Sequence, residues 1–213
     1  MINTQDQEQL FKLIADYLEK DLTFIAIGGT AMMFKGYKNT TKDIDIVFQT
    51  TKDREIFIKA IESLGYKQIA IGKIYDEKRK THKSKPLMYS RGEERFDLFV
   101  KDVFSFVLSF EQEAMTDKID VIGKNEMSIH LLSKETLVLL KAITGREKDF
   151  EDIETILEIE KDINWEELIT QAIEQRKNNE WILIDLEETM QRLKKKFFIK
   201  VEYFKKIYEA EKQ

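Results

Sequence analysis

The sequence predicts an α/β protein, a mixed sheet flanked by helices, followed by an all-helical part. Three observations carry that expectation. The apolar run at residues 24–27 is broken by Gly28-Gly29, as in a buried strand that ends in a tight turn. Residues 43–48 alternate carboxylates with large apolar side chains, and residues 95–100 set Asp97 between large apolar side chains, both in a period-two pattern. After Ser133 the spacing turns helical and stays so to the end of the chain. The expected division is 1–131 for the sheet-bearing domain and 132–213 for a helical domain packed against it. With a single proline, Pro86, and no low-complexity stretch, no linker separates the two.

In order along the chain, residues 5–20 place Leu10, Leu13, Ile14, Tyr17 and Leu18 at helical spacing. The glycine-broken strand follows, then a short helical stretch from Thr30 and a polar loop. A second strand carries Asp43 and Asp45. Residues 52–64 repeat the helical pattern through Ile56, Phe57, Ala60, Ile61 and Leu64, with Gly65 as the stop. Segments 66–72 and 87–90 read as strands on either side of the polar run YDEKRKTHKSKP. The strand RFDLFV at 95–100 sets Phe96, Leu98 and Val100 opposite Asp97 and Phe99. For FSFVLSF at 104–110, strand and buried helix both remain open. Residues 118–131 read as a hairpin turning at Gly123-Lys124-Asn125. Ser133 is an N-cap for the helix through LVLLKAI, and Asn164 with Glu167 resembles a capping box. An apolar seam through Leu183, Leu186, Met190, Leu193, Phe197, Val201, Phe204 and Tyr208 predicts one or two long helices over about 180–210.

Composition narrows the function. A chain of 213 residues, 42% hydrophobic and 35% charged, is globular. Its net charge of −5 argues against general electrostatic adhesion to nucleic acid. The absence of cysteine excludes thiolate metal sites and cysteine nucleophiles, and the two histidines, His82 and His130, are far apart. The N-terminal residues lack the features of a secretory signal, and no apolar run approaches the ~20 residues that span a bilayer. The expectation is a cytoplasmic protein with no membrane association.

Asp43 and Asp45 are i and i+2 in a strand and so share a face. Side-by-side carboxylates repel unless a cation lies between them, and hard oxygen ligands suit Mg²⁺. The Gly28-Gly29 turn offers backbone N–H groups to phosphate oxygens. Asp97, mid-strand among large apolar residues, is a third carboxylate whose unpaired charge would be costly there. An isolated D-x-D more often marks a solvated strand end; the glycine turn and Asp97 together point to a metal–nucleoside triphosphate site.

These residues carry a family resemblance. Gly28-Gly29-Thr30, then T-x-D-I-D from Thr41 to Asp45, then the strand around Asp97, resemble the DNA polymerase beta-type nucleotidyltransferase superfamily over about residues 22–100. Residues 131–153, LLSKETLVLLKAITGREKDFEDI, resemble the lysine-bearing helix and R-x-K-D-x-x-D-I segment of its toxin-like (abortive-infection type) and uncharacterised minimal members. The resemblance implies a nucleotidyltransferase fold and transfer of a nucleoside monophosphate from an NTP, an activity of EC 2.7.7 type. It implies Mg²⁺, with Mn²⁺ as the alternative ion, on Asp43 and Asp45, with Asp97 either completing a two-metal site or acting as the base. Gly28, Gly29 and Thr30 would hold the triphosphate, the threonine through its hydroxyl. Lys141 would neutralise phosphate, and Arg146, Lys148 and Asp149 would complete the nucleotide site. The acceptor is an RNA end, a protein or a small molecule, and a homodimer or an antitoxin is the implied partner. A catalytically silent nucleotide-binding module of the same fold is the alternative.

Several residues carry two readings. Lys141 either meets a phosphate or lays its stem along the core with its ammonium in water. Asp149 and Asp152, i and i+3 on one helix face, either serve the site or complement the helix dipole, Asp152 fitting the second role better. The basic run Lys78, Arg79, Lys80, His82, Lys83, Lys85 either contacts an anionic acceptor or is a solvated loop, and it lacks interleaved aromatics. Arg192, Lys194, Lys195 and Lys196 read as a solvated helix face, and the aromatics from Phe197 to Tyr208 as core or dimer contact.

Overall fold

The computed structural model describes residues 2–70, 85–111 and 115–212. The chain forms two compact units, residues 1–103 with 108–132, and residues 104–107 with 133–213. The run from Lys78 to Lys83 lies outside the described residues.

The first unit begins with β1 (Ile2–Asn3) and α1 (Thr4–Tyr17), followed by β2 (Leu22–Ala26) and α2 (Gly28–Phe34). Next come β3 (Thr40–Thr41), β4 (Asp43–Phe48), α3 (Thr51–Ser63), β5 (Lys67–Ile69), β6 (Leu87–Arg91), β7 (Glu94–Val100) and β8 (Asp102–Val103). A two-residue strand, β9 (Phe106–Val107), belongs to the second unit, and the hairpin β10 (Met115–Ile122) and β11 (Glu126–Leu132) completes the first. Seven strands form one sheet in the order β10-β11-β2-β4-β7-β6-β5. The β11–β2 and β4–β7 pairs are parallel and the others antiparallel, so the sheet is mixed, as expected from the sequence.

Alternation in β4 and β7 gives the sheet two chemically different faces. Ile44, Ile46, Phe96 and Leu98 have no exposed surface. Phe57 of α3 stands edge-on to Phe24 and Phe96 and tilts against Phe48, with ring centroids 5.3–5.8 Å apart. Phe11 joins Phe24 at 5.8 Å. In α1 the predicted stripe is rotated: Phe11 and Ala15 are buried while Leu13 and Tyr17 are 41% and 48% exposed. The capping box between Asn3 and Asp6 sets the start of this helix. The hairpin turn docks on its far end, where a Cβ on Gly123 would lie 2.7 Å from the Ala15 and Asp16 backbone. Asn125 Nδ2 donates to the Leu18 carbonyl at 2.6 Å there.

Of residues 104–110 only Phe106–Val107 is strand, the shorter of the two alternatives, and no helix forms. Phe104 and Ser105 take left-handed φ values of 52° and 64°, which interrupt any regular run. Side chains of the second unit satisfy this backbone: Gln175 Nε2 donates to the Val107 carbonyl at 2.8 Å, and Asn179 Nδ2 to that of Phe104 at 3.2 Å.

The remainder of the second unit is helical: α4 (Lys134–Thr144), α5 (Glu147–Ile159), α6 (Trp165–Gln175), α7 (Ile182–Leu193) and α8 (Val201–Glu211). Ser133 caps α4 by accepting from Thr136 N at 3.1 Å, as predicted. Asn164 caps α6, but its own N–H donates to Glu135 at 3.0 Å rather than back to Glu167, so the box is not reciprocal. The long seam divides at residues 194–200. Leu183, Leu186, Met190 and Leu193 are buried in α7, but the break resets the helical phase. In α8 it is Phe204, Ile207 and Ala210 that face inward, leaving Val201 and Tyr208 58% and 46% exposed. No helix among the described residues is long and apolar enough to cross a membrane.

Candidate active site

The parallel pairing of β4 with β7 sets Asp43 opposite Arg95 and Asp45 opposite Asp97. Directly paired residues share a face. All four polar side chains therefore stand on the face opposite Ile44, Ile46, Phe96 and Leu98.

The Gly28-Gly29 turn closes on this row. Gly28 has φ +56°, and a Cβ there would lie 2.3 Å from Asp45 Oδ2, so the Gly28 backbone touches the carboxylate as no side-chain-bearing residue could. A Cβ on Gly29 would lie 2.3 Å from Thr41 Oγ1. Asp45 is clamped by its backbone: its N–H donates to Thr30 Oγ1 at 3.0 Å, and its carbonyl accepts from Ile27 N at 3.1 Å. Thr30 is fully buried, so its hydroxyl serves this clamp instead of facing outward to a phosphate. Ile27, the N-cap of α2, has no capping side chain for the first-turn N–H groups.

Arg95 is the participant that the sequence reading did not single out. Its Nη2 lies 2.5 Å from Asp43 Oδ2, and its Nε donates to Asp97 Oδ1 at 3.0 Å. One guanidinium thus spans two of the three carboxylates and compensates Asp97, which is 6% exposed. The signal was present in RFDLFV: Arg95 is i−2 from Asp97 and so shares its face.

A second charged cluster lies within the helical unit. Lys141 is 5% exposed, and its Nζ donates to Asp152 Oδ2 at 2.7 Å and to Asp149 Oδ1 at 3.4 Å. Its ammonium therefore neither reaches water nor stands open. Thr144 and Arg146 both bond the other Asp149 oxygen. Burial works to raise the Asp149 pKa, but the Arg146 hydrogen bond, the Lys141 charge and the Thr144 hydroxyl outweigh it and hold the carboxyl below its ordinary range. Gly145, at φ +61°, makes the left-handed corner that brings α5 back along α4. The Arg146 side chain is 59% exposed and Lys148 is exposed.

Of the residues singled out in the sequence, Gly28, Gly29, Thr30, Asp43, Asp45 and Asp97 converge in the first unit. Lys141, Arg146 and Asp149 converge in the second, joined by Asp152, while Lys148 stands at the surface.

A family model over most of the chain places it in the nucleotidyltransferase class, and the mixed sheet flanked by helices is a fold it shares with a solved structure. The solution structure of the antibiotic-resistance factor ANT(2'')-Ia matches it with a TM-score of 0.52 at 13% identity, covering 90% of this chain and 100% of that one. The chain belongs to the family described as nucleotidyltransferase of unknown function (DUF6036), whose model matches residues 6–208. The crystal structure of JHP933 from Helicobacter pylori aligns with 99% of this chain and 90% of its own, with 10% identity and a TM-score of 0.46. No curated protein matches the sequence.

Proposed function

We propose that the chain is a Mg²⁺-dependent transferase that moves a nucleoside monophosphate from an NTP to a hydroxyl or phosphate acceptor. The observation that supports this reading most directly is the contact of the Gly28 turn with Asp45 on the face that also carries Asp43 and Asp97. The acceptor oxygen attacks the α-phosphorus, a new P–O bond forms, the α–β bridging bond breaks, and pyrophosphate leaves with that electron pair. When the acceptor is a hydroxyl, Asp97 takes its proton. The Gly28 and Gly29 N–H groups would bind phosphate oxygens, with Thr30 holding the turn onto Asp45.

The donor set fits a divalent ion in chemistry: three carboxylates on one face, all hard oxygen ligands. Among the described residues no three acids or histidines are already gathered as a metal cluster, and Arg95 spans two of these. Asp43, Asp45 and Asp97 would hold Mg²⁺ or Mn²⁺, which supplies charge stabilisation for the entering and leaving oxygens. An ion there would require Arg95 to release Asp43 and Asp97, which it pairs with in this structure. Arg95→Ala is therefore expected to tighten Mn²⁺ binding about tenfold in calorimetric titration of the nucleotide-free protein, since it removes an internal competitor. Unchanged affinity would mean that Arg95 and the ion do not compete.

In the second unit, Lys141 positions Asp149, which positions Arg146. The exposed Arg146 and Lys148 are then the groups that would meet phosphate. Gly28→Ala is expected to reduce transfer about 100-fold with a smaller loss of stability, because the added methyl must displace the Asp45 carboxylate. Parallel turnover and melting measurements check this, and full activity would remove the turn from the mechanism.

The test of the reading is incubation of the protein with each α-labelled NTP, Mg²⁺ and a cell extract as acceptor source. Metal-dependent labelling of an acceptor is expected. The absence of both labelled product and calorimetric Mg·NTP binding would overturn the proposal. Arg95 favours a second reading, a silent module whose acidic face is neutralised internally; NTP binding without transfer to any acceptor would select it. A toxin role is a refinement of the first reading, scored by growth arrest on expression that requires turnover.

A further inference from the structure

The connection from α7 to α8 carries chemistry that nucleotidyl transfer does not use. Residues 192–206 hold seven cationic side chains and one acid, in a chain whose net charge is −5. Four aromatics, Phe197, Phe198, Tyr203 and Phe204, are interleaved with them. Phe204 is buried, but Phe198 is 88% exposed. Phe198 borders a cleft of about 540 Å³ that Trp165, Phe197, Tyr203, Lys161 and Lys200 also line. On its other side a second hollow is bordered by Lys194, Val201 and Lys205.

Charge decides what this surface attracts. Three carboxylates border the two hollows, and each already has a lysine: Glu158 has Lys196 at 2.5 Å, Glu160 has Lys134 at 3.2 Å, and Glu202 has Lys200 at 3.3 Å. Lys161, Lys194 and Lys205 line the hollows with Phe198 and add exposed positive charge, and the exposed Lys195 follows Lys194 in the chain. Isolated exposed aromatics are ordinary. An exposed ring beside an aromatic cleft, with lysines on both flanks, has the two parts that hold unpaired nucleotides: a π-face for stacking and cations for the backbone.

We propose that this face binds a single-stranded polynucleotide, a base stacking on Phe198 and its flanking phosphates meeting Lys194, Lys195 and Lys205. The inference rests on the transferase reading in one respect: it makes a polynucleotide the acceptor class. Binding itself is independent of turnover, so the two fail separately.

The test is fluorescence anisotropy of the full-length protein with labelled oligomers of about twelve nucleotides, as single-stranded RNA, single-stranded DNA and RNA duplex. Both single strands, or RNA alone, are expected to bind more tightly than the duplex. RNA alone identifies the source as RNA. Phe198→Ala is expected to weaken binding about tenfold and Phe198→Trp to retain it. The double variant Lys195→Ala, Lys205→Ala is expected to flatten the log–log salt dependence by about 0.7 per lysine. Asp45→Ala should bind as wild type, so a loss of transfer with retained binding is not confused with loss of this face. No binding to any strand, equal binding of the duplex, or insensitivity to Phe198→Ala would overturn the proposal. So would sedimentation as a dimer that Phe198→Ala dissociates, which would make the face an interface between copies.

Discussion

Asp45→Ala is expected to lower nucleotidyl transfer at least ~10³-fold, about 4 kcal/mol of transition-state stabilisation, while leaving the fold intact. The asymmetry follows from how Asp45 is held. Its backbone is fixed on both sides, through Thr30 Oγ1 and Ile27 N, and neither bond involves its carboxylate. The carboxylate faces Gly28 and stands in register with Asp97, so its removal relieves like-charge repulsion in the row. Because the backbone clamp is kept, melting of the variant should lie within a few degrees of wild type. Asp45→Asn should lose activity almost equally, since the amide keeps the shape but not the charge. Turnover with labelled NTP, paired with thermal melts of all three proteins, checks both halves. Activity within tenfold of wild type would remove Asp45 from the chemistry; a large drop in melting temperature would make the loss of turnover a folding effect.

Much of the fold was legible because period-two alternation and glycine stops are local. The β4 and β7 patterns, the hairpin turn at Gly123 and the Ser133 cap all come from residues adjacent in sequence. The parallel register that sets Asp45 opposite Asp97 is not local, yet a strand with a lone carboxylate among large apolar residues implied a partner row. The failures are of two kinds. Helix phase was misjudged where a break resets rotation: the seam drawn through Val201 and Tyr208 ignores the interruption at 194–200, and α8 buries Ile207 and Ala210 instead. In α1 the stripe included Tyr17 but not Phe11, because apolar character alone does not say which side of a wide stripe meets the sheet. Charge partners were also missed. In the sequence Arg95 is only the first residue of a strand pattern, and the i, i+3 spacing of Asp149 and Asp152 does not reveal that Lys141 pairs with both. Pair formation depends on distances that spacing does not provide.

That buried cluster sets the second large expectation: Asp149→Ala should destabilise the protein by about 3–5 kcal/mol, lowering its melting temperature by roughly 10 °C. Asp149 is 4% exposed and accepts from Lys141, Thr144 and Arg146, so its loss strands a buried ammonium with Asp152 as its remaining carboxylate contact in the cluster. The decisive comparison is with the triple variant Lys141→Met, Asp149→Leu, Asp152→Leu. Replacing the whole buried cluster with apolar groups removes the desolvation cost along with the pairing, so the triple variant should be more stable than the single one. The pH dependence has a definite sign. The folded-state pKa of Asp149 is depressed, so its contribution is fully present above the unfolded carboxyl value of about 3.9 and is lost as pH falls through the lower folded value. The stability gap between wild type and Asp149→Ala should therefore be flat from neutral pH down to about 5 and close only in stronger acid. Urea unfolding of the three proteins from neutral to acidic pH measures it. A gap that already narrows near pH 6, or a triple variant less stable than Asp149→Ala, would mean that the cluster stabilises through something other than the ionised Asp149 pairing.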